Sequence, residues 1–197
     1  MKNVFGIIAL AVIIGFSFTG CPTDSDDGGG GTTPTYQLGD TGPGGGKIFY
    51  VSAAGFTMTD NNQVCHYLEA APADMSTLAW ASGSYTSTDI TGTEEAIGTG
   101  RKNTALILAT DALAPAAKAC KDLTTGGKTD WFLPSWDELD QLYENRLSVG
   151  NTVTNAYWSS SQRNNSVSNA WHENFTYGGQ GSQAKSNAIL VRAIRAF

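Results

Sequence analysis

Ser135-Trp136-Asp137-Glu138 is the stretch that most restricts how this chain can fold. Ser and Glu three apart can each satisfy a backbone group that the first turn of a helix leaves open, and acids there complement the helix dipole. Leu139, Leu142 and Tyr143 follow at helical spacing, so a helix is predicted over 136–146. Upstream, Asn103 stands where a cap would begin NTALILATDAL, and Pro115 opens a second, Ala-rich run, PAAKACKDL, that Gly126 and Gly127 stop. Outside this helical block the patterns are those of strands. KIFYVSA (47–53) reads as a buried strand entered through the turn GDTGPGGG, and VCHYLEAAP as a second strand. WHENFTY alternates, with Trp171, Glu173, Phe175 and Tyr177 on one face and His172, Asn174 and Thr176 on the other, as a half-buried strand does. The terminal AILVRAIRAF is read as a further strand, expected beside KIFYVSA.

The two ends of the chain differ in kind. Met1, Lys2 and Asn3 precede an apolar run from Val4 to Phe18, which is short for a membrane span and has the form of an export signal. It closes on Phe18-Thr19-Gly20-Cys21, which resembles the lipobox of bacterial lipoproteins with Phe in place of the usual Leu. Cys21 is accordingly the expected lipidation site and 1–20 the expected signal peptide. PTDSDDGGGGTTPT offers almost nothing to bury, so 21–35 reads as a tether and 36–197 as one folded domain. Loss of Lys2 with the signal leaves 11 basic against 18 acidic residues. That balance argues against nucleic acid as a partner and against a polybasic lipid-binding patch. With Cys21 lipidated, Cys65 and Cys120 remain, and an exported pair is a candidate disulfide or two separate buried thiols.

The motifs that could carry chemistry read more simply as structure. GPGGGK (42–47) is followed by Ile48 and a strand, whereas a phosphate loop needs Ser or Thr and a helix, so it is taken as a tight glycine turn. Cys65 and His66 point to opposite faces of a strand and cannot act as a dyad. His66 and His172 have no further ligand at metal spacing, and Asp137, Glu138 and Asp140 are expected to serve the helix start. No catalytic residues, metal or cofactor are predicted.

GDTGPGGGKIFYV, YLEAAP, GTGRKNTALIL, AAKACKDL, DWFLPSWDEL, YWSSSQ, AWHENF and VRAIRAF occur in an order similar to that of the bacterial DUF1566 family, the C-terminal domain of the Legionella collagen-like adhesin (Lcl). The resemblance spans about 37–197. It implies an α+β, C-type-lectin-like fold related to formylglycine-generating enzymes: an antiparallel sheet with two to three helices, paired terminal strands and a long irregular loop region. The Glu-Pro-Asn, Gln-Pro-Asp and Trp-Asn-Asp triplets of calcium-dependent lectins are missing, so no calcium–sugar site is carried over. Nor do Cys65 and Cys120 match the enzymes' catalytic cysteine pair.

On this basis Trp158 and Trp171 are expected as buried anchors of two strands, with Ser160 to Asn169 as the loop between them. Ser161, Gln162, Arg163, Asn165, Asn169, His172 and Asn174 are the expected ligand contacts, because such side chains give adaptable hydrogen bonding around aromatic anchors. The expected partner is an extracellular glycan or protein, with the membrane reached through the lipid. The alternative is a structural envelope lipoprotein without a ligand. A lesser one is a receptor diversified by a retroelement acting on adenine-rich codons such as those of Asn164, Asn165, Asn169, Asn174 and Asn187.

Overall fold

The computed structural model describes residues 35–150 and 154–197. The signal segment, Cys21 and the tether up to residue 34 lie outside the described residues. In chain order the elements are β1 (Lys47–Thr57), β2 (Val64–Ala70), β3 (Leu78–Ala79), α1 (Gly100–Thr110), α2 (Pro115–Asp122), α3 (Trp136–Glu144), α4 (Arg146–Val149), β4 (Ala156–Gln162), β5 (Asn169–Asn174), β6 (Gly179–Ala184), β7 (Ala188–Ile189) and β8 (Ile194–Ala196). The strands form three antiparallel sheets, ordered β1-β2-β8, β3-β7 and β4-β5-β6, which makes the domain α+β.

Strand β4 of the sheet β4-β5-β6 is packed on both faces. Tyr157 and Phe175 join a core with Phe49, Leu68, Leu139 and Ile194, whereas Trp158 and Ala170 join a second core with Trp80, Ile107, Ala117 and Val191. Period-two alternation therefore sorts neighbouring residues into different cores rather than into core and solvent. This is why Ser159, Ser160 and Ser161 are fully buried. Their hydroxyls are used: Ser159 Oγ donates to the Trp171 carbonyl at 3.0 Å, Ser160 Oγ to that of Pro134 at 3.1 Å and Ser161 Oγ to that of Glu94 at 2.7 Å.

AILVRAIRAF does not form one strand beside KIFYVSA. Its start is β7 and its end is β8, and β8 pairs with β2, which separates it from β1. Between the two, Leu190 exchanges backbone hydrogen bonds with β4, its N–H reaching the Ala156 carbonyl at 3.1 Å and its carbonyl accepting from Trp158 at 3.0 Å. The carbonyls of Val191 and Ala193 accept from Met75 and Ala71 at 2.8 and 2.9 Å. One apolar run thus joins all three sheets, and from Val191 to Ala196 every residue of it is buried.

The helix expected over 136–146 is present as α3, ending at Glu144, with its capping box complete. Ser135 Oγ accepts from Glu138 N–H at 3.3 Å, and Glu138 Oε2 accepts from Ser135 N–H at 2.8 Å. Pro115 opens α2 as expected, but the helix stops at Asp122, before the glycines. Asn103 is not a cap. It lies inside α1, fully buried, where its side chain holds the Glu94 backbone at 2.9 and 2.7 Å. Cys120 is a free thiol in the second core, whereas Cys65 lies in the first, so the Cys65–Cys120 bridge is not formed.

The glycine turn before β1 encloses an anion after all, but one from its own chain. Gly44 N–H donates to both oxygens of buried Glu69 at 3.0 Å, and Gly46 N–H to Oε1 at 2.7 Å. Arg195 completes the cluster with Nη1 on Glu69 at 3.2 Å and a two-pronged grip on Asp130 at 2.9 and 3.0 Å. A β-carbon on Gly46 would lie 1.9 Å from the Ala70 carbonyl oxygen, so glycine is required there.

Candidate functional site

Helix α3 runs along β5, and alternate residues of the strand meet successive turns of the helix. Trp171 stacks on Trp136 with ring centroids 4.2 Å apart and planes 2° from parallel. Phe175 meets Tyr143 edge-on at 5.4 Å. Both stacked tryptophans are only half-buried, at the edge of the molecule beneath the 163–168 loop. Glu95 ties the loop to the stack, because its Oε1 accepts from Trp171 Nε1 and from Asn164 Nδ2, both at 2.9 Å. The Arg163 guanidinium lies 5.9 Å from the centre of the Trp171 ring.

The seam between α3 and β5 is acidic. Glu173, between Trp171 and Phe175 on the strand, is fully buried, and neither carboxylate oxygen has a partner. Burial, then the charges of Asp140 and Glu144, push its carboxyl up to about 8, with Arg146 opposing. Asp137 is raised by burial and by Glu95 and Asp140, and Asp140 by burial and Glu144. Arg146 is itself engaged, donating to the Tyr143 carbonyl at 2.8 Å with its guanidinium 3.9 Å from that ring's centre. Glu138 is also buried and raised to about 7 by desolvation, but hydrogen bonds from Ser135 N–H and from Gly98 N–H at 2.8 Å satisfy it.

Of the seven expected contact residues, the structure leaves Arg163 and Asn165 exposed on the loop, with Asn169 half-buried at its end. Ser161, by contrast, is fully buried. Besides donating to Glu94, its hydroxyl accepts from Trp136 N–H at 3.1 Å. Gln162 is committed as well, with Oε1 accepting from Ile90 N–H at 2.9 Å and from Lys185 Nζ at 2.6 Å, and Nε2 donating to Asp89 at 2.5 Å. Lys185, fully buried over Trp80 and also bonded to the Thr88 carbonyl, is drawn down to about 8 by desolvation. His172 and Asn174 lie on the opposite face of β5 from Trp171, half-buried. His172 packs near Trp158, and Asn174 accepts from Thr176 N–H at 2.9 Å. The alternation expected over WHENFTY holds only from Trp171 to Asn174, because the strand ends there and the chain turns, leaving Tyr177 exposed; Trp171 is a rim residue and the His172 face turns towards the second core.

Sequence reading missed Trp136 and Glu95. A tryptophan at the first position of a capped helix is a signal, because that position precedes the turn whose face is committed to the core. Nothing in the sequence marks Glu95. Elsewhere, a cleft of about 390 Å³ is lined by Asp60, Arg101, Leu108, Lys121, Asp130 and Trp131, among others. Its Arg101 and Asp60 pair with each other, its Asp130 pairs with Arg195, and it shares no residue with the rim.

The fold and rim together describe an α+β domain that displays a polar loop over an aromatic, acidic edge. The chain belongs to the Lcl C-terminal domain family, whose profile matches residues 57–195. Among solved structures it is similar to a fimbrial protein from Bacteroides ovatus, at 16% identity and a TM-score of 0.52 over 77% of this chain. This chain spans 44% of that protein's length. No curated protein matches it in sequence.

Proposed function

We propose that this is an extracytoplasmic adhesion protein, anchored by lipid at Cys21, whose C-type-lectin-like domain binds an extracellular glycan or protein at the Trp136–Trp171 rim and the loop above it. The observation that carries this reading is the stacked, half-exposed tryptophan pair, with Arg163 over one ring and Glu95 and Asn164 fixing the loop to it. A rigid aromatic surface beside adaptable polar side chains is a common design for recognition. Family membership and the likeness to a fimbrial protein support a role at the cell surface. No catalytic role, cofactor or nucleic-acid partner is proposed.

The test is an array of glycans and extracellular-matrix proteins probed with the full chain, comparing wild type with Trp171→Ala and with Arg163→Ala/Asn165→Ala. Binding lost in both variants is the expected result. Absence of binding at micromolar concentration, or binding untouched by the changes, would favour the alternative of a structural envelope lipoprotein. That alternative draws on one observation, the internal use of Ser161, Gln162 and Lys185 to brace the loop's base. For the anchor, Cys21→Ser should move the protein from the detergent phase to the soluble fraction, and continued partitioning into detergent would refute lipidation.

A further inference from the structure

We infer that the α3–β5 seam docks a positively charged segment of a partner protein, with Lys or Arg side chains set against the Trp136–Trp171 stack and the carboxylates of Asp140 and Glu144, above buried Glu173. This rests on the proposal that the rim contacts a ligand, and it assigns that ligand its charge.

Spacing supplies the first argument. Asp140 and Glu144 are one helical turn apart on α3, and Asp137 and Glu95 extend the same negative edge past the stack. Four acids on a surface would by themselves be a solvated face. Glu173 is the independent observation: it sits on the strand face that meets α3, is fully buried, and has no hydrogen-bond or ion-pair partner on either oxygen. A buried carboxyl without a partner is costly and rare in folded proteins, and an approaching cation would relieve it together with the repulsion from Asp140 and Glu144.

The aromatic pair supplies the second argument. The faces of tryptophan rings attract cations, and the protein's own Arg163 already holds a guanidinium over Trp171. A neutral sugar could stack there but would leave the carboxylates unanswered. A coordinated metal ion is not favoured, since among the described residues no group of three or more His, Cys, Asp or Glu side chains is arranged to hold one. An ammonium or guanidinium on a flexible stem needs no such geometry.

A consequence concerns pH. Glu173 is faced by Asp140 and Glu144 of α3, by Arg146 at the start of α4, and by its strand neighbours Tyr157 and Gln180. A docked cation favours the ionised carboxylate, so docking releases a proton and tightens as pH rises from about 6 to about 9.

Fluorescence anisotropy of the full chain with a labelled octalysine peptide, against the same peptide with every lysine acetylated, tests the assignment. Wild type should bind octalysine at least about tenfold more tightly than the acetylated form, and Asp140→Asn/Glu144→Gln should remove most of that preference. Asp60→Asn/Asp122→Asn removes the same charge from another surface and should leave affinity within about twofold. Glu173→Gln should flatten the pH dependence, and thermal melts confirm that each variant is folded. Equal weakening by the two double variants, or equal binding of both peptides, would overturn the proposal. An array ligand lost in Trp171→Ala alongside no octalysine binding would refute the charge while leaving the rim reading intact; loss of both would remove the rim as well.

Discussion

Trp158 and Trp171 lie on neighbouring strands of one hairpin but on opposite faces of the sheet, Trp158 being in register with His172, and they do different work. Trp158 is fully buried, and its Nε1 donates to the Leu78 carbonyl at 2.9 Å. Trp158→Ala should cost about 3–5 kcal/mol, as large aromatic deletions in cores do. Trp171 is half-exposed and rests mainly on one stacked neighbour, so Trp171→Ala should cost about 1–2 kcal/mol, close to the worth of an aromatic pair plus partial burial. Denaturant unfolding of the two variants checks the difference, and equal losses would place Trp171 in the core. Glu173 is the other informative residue. Because its buried carboxyl lacks partners, Glu173→Gln, which keeps the shape and removes the charge, should raise the melting temperature at pH 9 and leave it nearly unchanged at pH 4.

At the scale of elements, stability resides in how helix starts and turns satisfy their backbone. Ser135 does two jobs, accepting from Glu138 N–H and donating to the Ala96 carbonyl at 2.9 Å, so Ser135→Ala should cost about 1–2 kcal/mol, at the upper end for a cap. The glycine turn depends on Glu69 in the same way. Glu69→Ala would strand the Gly44 and Gly46 N–H groups and one prong of buried Arg195, and should cost about 3–5 kcal/mol in equilibrium unfolding. The helix α3 was legible because a capping box is local, contained within four residues. The role of Asn103 was not, because its partners at Glu94 and Ser160 are set by a loop and a strand brought to it by the fold.

For the whole molecule, two buried carboxyls make a contribution to stability that falls as pH rises, against the opposite contribution of His172 and Lys185, whose burial draws them down. Glu138 is raised to about 7 and Glu173 to about 8 from an ordinary value of 4.5, so between those limits the folded chain holds protons that the unfolded chain has released. Stability from these groups is complete below about 4.5 and is lost as pH climbs through about 7 and then about 8. The domain should therefore melt at a higher temperature at pH 5.5 than at pH 8.5. Calorimetry across that range, with Glu173→Gln showing a shallower slope, checks both the sign and the residue; stability rising with pH would contradict it.

Local units are legible in the sequence: the capped helix, the Pro115 start of α2, the strands KIFYVSA and VCHYLEA, the alternation from Trp171 to Asn174, and the family. Each depends on neighbours within a few residues, through capping, fixed proline geometry or side-chain period. Tertiary structure alone decided which faces were inside. AYWSSSQ reads as a strand end leading into a polar loop, but two cores close over it, so Ser161 and Gln162 become internal braces and Trp171 is left at the rim. It also decided that the terminal strand lies beside β2, that Cys120 stays a free thiol, and that the glycine turn holds Glu69. Period two sorts side chains to one side or the other of a strand. Only the packing of sheets and helices on both sides determines which of them meet solvent.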